Sequence, residues 1–183
     1  MKVDQATFQS WIESLVCHAG VDQKEAVILA KVLVWSDMIG RPEQGTWRLP
    51  TYLKRFKLGL IRSPCKPRPV ARKHAVCLLD GRNGFGQVVG QVAMRQAIHL
   101  AARFGVGVVG VKQSNHFGPA AYYVNQAAEK GFLGLAFSNA TPRVAPAGNA
   151  APLLGTNPIA LAAPRRTGRA VLVDLSTSAS AGS

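Results

Sequence analysis

Acidic side chains are scarce in this sequence: nine Asp and Glu stand against 22 Lys and Arg in 183 residues, a formal charge of +13. Cysteine is scarcer still. Cys17, Cys65 and Cys77 are an odd number without C-x-x-C spacing, which argues against a disulfide framework and for a reducing compartment. Long hydrophobic runs are missing too; none reaches the ~20 residues of a membrane span. The N-terminal MKVDQATFQS lacks the apolar core of a secretory signal. The expectation is a soluble, cytoplasmic protein. His18, His74, His99 and His116 are scattered, and neither H-E-x-x-H nor paired cysteines occur, so no metal site is expected. A G-x-S-x-G elbow and a P-loop are also missing.

What is present suits a globular chain. With 48% apolar and 17% charged residues, it can bury a core, and its length suits one domain or one and a fraction. The positive charge is clustered: between Glu43 and Asp80 lie nine basic residues and no acidic one. Such a field attracts phosphates, nucleic acid or an anionic substrate. It also reads as a solvated basic surface, because no aromatic ladder accompanies it.

The first forty residues read as two helices. Phe8, Trp11, Ile12, Leu15 and Val16 form one helix-spaced stripe. Gly20 stops that helix, and Asp22 with Glu25 forms a capping pattern for the next, running to about Ile39. A short helix is expected over 49–58. RSPCKPRPVARK (residues 62–73) reads as a linker or an extended edge. The texture then changes, and a boundary is placed near residue 75. Strands are expected at 75–80, 106–112, 133–137, 159–163 and 170–174, with a turn at GRNGFG and helices over 89–104 and 119–130. Strand–helix–strand alternation argues for an α/β domain, and the apolar runs 106–111, 133–137 and 159–163 suit strands buried on both faces, which in this chain by itself would leave apolar surface facing water.

Gly105-Val-Gly-Val-Val-Gly110 matches G-x-G-x-x-G, but a helix precedes it and a strand follows, the reverse of the dinucleotide fingerprint. These glycines read better as a turn and close packing. Gly84-Phe-Gly86 is better placed, yet no acid lies between Asp80 and Glu129 to hold a ribose. His116, in Ser114-Asn-His-Phe-Gly-Pro119, sits between a strand and a helix, where α/β proteins often place their chemistry. Its imidazole can exchange a proton with an alcohol near neutral pH; a structural role is the alternative. The loops 138–148 and 154–158 could position a ligand or be ordinary loops. Asp174, closing a strand, could accept from ribose hydroxyls or cap local backbone.

Together DGRNGFGQVVGQVAM, GVGVVGVKQSNHFGPAAYYVNQAAEKGFLGLAFSNATPRVAPAG and PLLGTNPIALAAP resemble the malate/L-lactate dehydrogenase family, the non-Rossmann group that includes ureidoglycolate and sulfolactate dehydrogenases. The resemblance implies an α/β fold. Residues 1–74 would be the N-terminal helical part of a substrate and dimerisation domain, and 75–183 the first part of an incomplete mixed-sheet, non-Rossmann cofactor domain. It implies hydride transfer between NAD or NADP and a small 2-hydroxy or 2-keto acid, in an enzyme that is a homodimer at full length, with neither membrane nor specific nucleic acid as partner.

By the same resemblance His116 is the acid/base histidine, and Arg48 and Tyr52 contribute to the substrate site. Asn139-Ala140 and Thr156-Asn157-Pro158 line the cofactor and substrate cleft, and Asp174-Leu175-Ser176 holds the adenosine ribose. Two departures stand out. Glu43-Gln44-Gly45 replaces the family's usual Ser-His-Gly, which would set a carboxylate near that of the substrate. Family members also continue well past the final strand, where this chain reads SASAGS. The expectation is the N-terminal half of a dehydrogenase, inactive by itself; the rival is a non-catalytic remnant with a basic face for anions or a partner.

Overall fold

A computed structural model describes residues 3–148 and 150–178. The chain is mixed α/β and forms two compact units, Met1–Gly118 and Pro119–Ser183. The terminal departure at SASAGS lies, from residue 179 on, outside the described residues.

The first unit opens with α1 (Gln5–His18). Asp4 caps it by accepting the N–H groups of Ala6 and Thr7, each at 3.0 Å, and Gly20 ends it in the left-handed region at φ +95°. The apolar stripe is narrower than expected. Ile12 and Val16 are buried with Phe8 packed against the same core, whereas Trp11 and Leu15 are 53% and 49% exposed. The i, i+4, i+8 row faces inward and the flanking row does not.

Helix α2 (Gln23–Met38) starts at Asp22, whose carboxylate accepts from Lys24 and Glu25 N–H. Only half of the expected capping box closes. Buried Glu25 turns to another segment, accepting from Ser63 Oγ and from Cys65 N–H, each at 2.6 Å. Ser63 Oγ in turn accepts from Asp22 N–H at 2.9 Å. A serine 38 residues away from Glu25 thus completes the cap and fixes residues 63–65 onto the helix. Two short 3₁₀ turns, Pro42–Gln44 and Thr46–Arg48, lead into α3 (Leu49–Lys57).

β1 (Arg68–Lys73) is an exposed edge strand. It pairs antiparallel with β2 (Val76–Gly84), which pairs parallel with β3 (Val108–Ser114). The texture change near residue 75 falls at the β1–β2 connection. β2 runs on through Gly84 instead of turning at GRNG: Arg82 and Asn83 adopt φ of 50° and 59°, the register shifts after Asp80, and Gly84 pairs with Ser114. Helix α4 (Gly86–Phe104) links β2 to β3 and buries Val88, Val89, Ala93 and Leu100. Gly105 forms its left-handed C-cap, and a Cβ on Gly107 would stand 2.0 Å from the Ala97 carbonyl. The 105–110 glycines therefore serve a helix end and a close approach, with no helix after them to hold a pyrophosphate.

The second unit holds α5 (Ala120–Glu129), β4 (Gly134–Phe137), β5 (Ile159–Ala163) and β6 (Val171–Leu175). Its strands form an antiparallel sheet in the order β4-β5-β6. The strands thus lie in two three-stranded sheets, one mixed and one antiparallel. Ala160 and Ala162 are fully buried, as is Val124 of α5. Gly134 is required for the close approach of β4 to α5, since a Cβ there would stand 2.6 Å from the Val124 carbonyl.

Apolar strand surface faces water, as expected for strands that the family covers with the second half of its chain. Val108 and Val111 of β3, Leu135 and Phe137 of β4, and Ile159 of β5 are all exposed. Phe137 pairs with Ile159, and Ile159 with Leu175, so one face of the antiparallel sheet presents aligned apolar side chains to solvent. Among the described residues, no helix is long and apolar enough to cross a membrane.

Candidate active site

The loop carrying His116 is anchored by its neighbour. Asn115 Nδ2 donates to the carbonyls of Asn83 (3.2 Å) and Gly84 (2.9 Å) and to Asn83 Oδ1 (3.2 Å), while its Oδ1 accepts from Arg55 Nη2 at 3.1 Å. This fastens the end of β3 to the end of β2 and to α3. Gly86, the first residue of α4, packs under the same loop. A Cβ there would fall 2.2 Å from the Asn115 carbonyl oxygen and 2.4 Å from that of His116. The second glycine of Gly84-Phe-Gly86 therefore permits close approach to the His116 backbone.

His116 Nδ1 lies 2.6 Å from Tyr52 Oη and accepts the Gly118 N–H at 3.3 Å. A backbone N–H can only donate, so Nδ1 carries a lone pair. Tyr52 therefore donates to it, and the proton of the neutral ring sits on Nε2. Burial, and then the nearby Arg48 guanidinium, push the imidazole down to about 4, which keeps it neutral at physiological pH. Burial pushes the Tyr52 hydroxyl up to about 12, against the pull of Arg48 and Gln87. Arg48 Nε donates to the Glu43 carbonyl at 2.6 Å, and the guanidinium meets no carboxylate among the described residues.

Two amides complete this cluster. Gln87 is fully buried, and its Nε2 is 3.9 Å from where a Cβ on Gly118 would be. It lies close enough to Tyr52 to act on its hydroxyl, yet neither its nitrogen nor its oxygen reaches hydrogen-bonding geometry. Gln44 Oε1 is likewise buried without a partner. The structure thus brings Arg48, Tyr52 and His116 together and adds Gln87, Asn115 and Gly86. The sequence singled out none of these three for the site. Gln87 and Asn115 look like ordinary polar residues until their neighbours in the fold are known, and Gly86 reads in sequence only as part of a glycine pair between a strand and a helix.

The remaining candidates lie in the second unit, on neighbouring loops. Asn157, at φ +36°, accepts the Ala140 N–H on its Oδ1 at 2.9 Å, beside Asn139. Gly155 leaves no room for a side chain, since a Cβ would stand 2.3 Å from the Ala140 carbonyl oxygen. The Pro158 carbonyl accepts the Ser138 N–H at 3.2 Å. The Thr156 carbonyl accepts from Ser176 Oγ at 3.0 Å and from the Thr177 N–H at 3.0 Å. Asp174 Oδ2 accepts the Ala121 N–H at 3.0 Å, at the start of α5, and Leu175, paired with Ile159, is half exposed. Asn139-Ala140, Thr156-Asn157-Pro158 and Ser176 are therefore linked by hydrogen bonds, while Asp174 is tied to a helix start.

The chain belongs to the malate/L-lactate dehydrogenase family, whose sequence profile matches residues 3–183. Among its curated relatives, the malate dehydrogenase of Pyrococcus abyssi is 40% identical over 169 residues, 92% of this chain and 46% of the relative. The NAD(+) ureidoglycolate dehydrogenase of Escherichia coli K12 is 34% identical over 181 residues, 99% of this chain and 52% of the relative. In three dimensions it resembles the malate dehydrogenase of Pyrococcus horikoshii OT3, with a TM-score of 0.95 at 38% identity over 99% of this chain and 52% of the other. The sulfolactate dehydrogenase of Methanocaldococcus jannaschii gives 0.93 at 35%, with 99% and 52% covered. The chain spans about half the length of the relatives it matches.

Proposed function

We propose that this chain carries the acid–base half of an NAD-dependent 2-hydroxyacid dehydrogenase, cytoplasmic and homodimeric when complete. The observation that supports this most is the neutral His116, open to solvent on one side and with its proton on Nε2, beside an Arg48 that no carboxylate neutralises among the described residues. A guanidinium fork suits the carboxylate of a 2-keto or 2-hydroxy acid. Nε2–H donates to the keto oxygen and gives up its proton as that oxygen becomes a hydroxyl. Tyr52 passes its own proton to Nδ1 as Nε2 loses one, and the phenolate, disfavoured by burial, recovers a proton from water, so that the net proton of the reduction comes from solvent. In the oxidative direction the same path runs backwards. The Gln44 side-chain oxygen and the whole Gln87 amide have unmet hydrogen-bonding capacity suited to a polar substrate; leaving such groups unpaired costs about 1–3 kcal/mol each.

The donors and acceptors of the second unit suit a dinucleotide. Asp174 offers the carboxylate that a ribose diol requires, Ser176 and Thr156 offer hydroxyls, and Asn139, Ala140, Asn157, Pro158 and Leu175 offer loop backbone. When bound, a nicotinamide supplies the hydride carrier. In this reading residues 1–74 belong to the substrate and dimerisation part and 75–183 to the cofactor part. NAD is favoured over NADP because the ureidoglycolate relative bears NAD(+) in its name.

The test is to titrate NADH and NADPH into the purified chain by fluorescence, and to assay malate, sulfolactate and ureidoglycolate oxidation. Saturable NADH binding, abolished by Asp174→Ala, supports the reading. Failure of both cofactors to saturate would remove it.

A further inference from the structure

Outside the His116 cluster, three arginines and a lysine meet in one place in the first unit. Arg62, Arg68 and Arg82 line an open cleft of about 450 Å3 together with Asp80, Asn83 and Gln113. A smaller cleft of about 200 Å3 shares Arg62 and Arg82 and adds Lys66. None of the three guanidiniums has an ion-pair partner among the described residues. Asp80, the one acid in the lining, has its Oδ1 bonded to the Arg82 backbone N–H at 2.8 Å. Three guanidiniums against one carboxylate leave a net positive charge, and a bound anion relieves their repulsion.

The wall behind these arginines is rigid. Arg82, Asn83 and Gln113 all hold left-handed backbone, at φ of 50°, 59° and 51°, which non-glycine residues keep only where their surroundings impose it. Those surroundings are identifiable. The Asn83 carbonyl accepts the Arg62 N–H at 2.9 Å, Asn83 Nδ2 donates to the Leu60 carbonyl at 2.8 Å, and Asn115 Nδ2 holds Asn83 from the other side. Arg62 and Arg82 are thereby fixed at their backbones while their forks remain available.

We propose that this cleft is a binding site for a small polyvalent oxyanion, phosphoryl or polycarboxylate, gripped by Arg62, Arg68 and Arg82. Guanidinium forks pair two-by-two with the oxygens of phosphate and carboxylate groups. Three of them around one cleft select for multiple charge, since a monovalent anion leaves two guanidiniums unanswered. The lining contains no aromatic side chain on which a nucleic-acid base would stack. It shares no residue with the Arg48 cluster, so the inference does not depend on the dehydrogenase reading.

Pyrophosphate and citrate, the two probes, are titrated into the 183-residue chain by calorimetry at constant ionic strength. One saturable site is expected for at least one of them, with chloride and acetate much weaker. Arg62→Gln, Arg68→Gln and Arg82→Asn should each weaken it about tenfold or more, the usual size of a lost charge-assisted hydrogen bond; asparagine tolerates the left-handed backbone at position 82. Arg72→Gln/Lys73→Gln, on the exposed β1 edge, should leave affinity within twofold, and backbone amide spectra establish that each variant is folded. The proposal is overturned if neither probe saturates, or if the β1 variant weakens binding as much as the cleft variants. It also fails if Arg48→Gln abolishes the binding, which would place the anion at the substrate cluster. Tighter binding of single-stranded DNA than of either probe, at equal charge, would reassign the face to nucleic acid.

Discussion

The hydrogen bond between Tyr52 Oη and His116 Nδ1, 2.6 Å long, has a fixed direction because the Gly118 N–H points at the same nitrogen. Nδ1 has to accept from both, and the ring's own proton is left on Nε2.

Nitrogen-15 spectra of histidine-labelled chain check this directly. At pH 7 the His116 ring should show a protonated Nε2 and an unprotonated Nδ1. In Tyr52→Phe the ring should titrate at higher pH, because the lost O–H donor stabilised the neutral form. A dominant Nδ1–H signal in the native chain would reverse the assigned direction of the bond.

Acid stability follows from the same imidazole. Its folded value of about 4 lies below the ordinary 6.5, so on acidification the unfolded chain takes up the proton first. The neutral-histidine contribution is intact above about pH 6.5 and is lost as pH falls toward 4, its size reduced by solvent screening because the residue is partly open to water. Urea midpoints between pH 7 and 4 should therefore fall more steeply in the native chain than in His116→Gln. Parallel slopes would mean that the imidazole is not held neutral by burial.

Gly86→Ala tests how the His116 loop is held. The added methyl meets the carbonyl oxygens of Asn115 and His116 at 2.2 and 2.4 Å, which are backbone atoms that cannot rotate away. The variant should lose roughly 1–3 kcal/mol, as overpacked sites do, and its His116 ring signals should shift while those of His18 do not. An unchanged His116 spectrum would show that the loop has room to spare.

Glu25 offers a fourth check. Its carboxylate serves the Ser63 hydroxyl and the Cys65 N–H from a position only 4% exposed. Glu25→Ala should destabilise the first unit by about 2–4 kcal/mol, as expected when buried donors lose a charged acceptor. Glu25→Gln, which keeps one acceptor, should lose less. Equal losses in the two variants would mean that packing, and not the pair of hydrogen bonds, accounts for the residue.

Local signals carried much of this architecture. Gly20, Asp22 and the apolar spacing over 89–104 mark helix ends and faces through short-range chemistry, and the 159–163 run matches β5 residue for residue. The Arg48, Tyr52 and His116 grouping came from resemblance alone, since nothing local ties residue 52 to residue 116. What stayed hidden depends on distant partners. Glu25 passes its capping role to Ser63, β2 continues through GRNG because Asn115 and Ser114 pair with its end, and Gln87 counts only once it is seen beside Tyr52. The apolar runs report what a strand surface prefers and not what covers it, which is why their exposure follows from the family's longer chain and not from composition.

The Glu25 latch has a consequence for the chemistry of Cys65. Burial, then the charge of Glu25 and its hydrogen bond, push this thiol up to about 12, and a Cβ on Gly84 would fall within 2.1 Å of its sulfur. Alkylating reagents require the thiolate, so while the latch is shut Cys65 is nearly inert. Its labelling rate, measured against Cys17, becomes a clock for how often the 63–65 segment lifts off α2. The wall of the arginine cleft can thus be timed without attaching any probe to the arginines themselves.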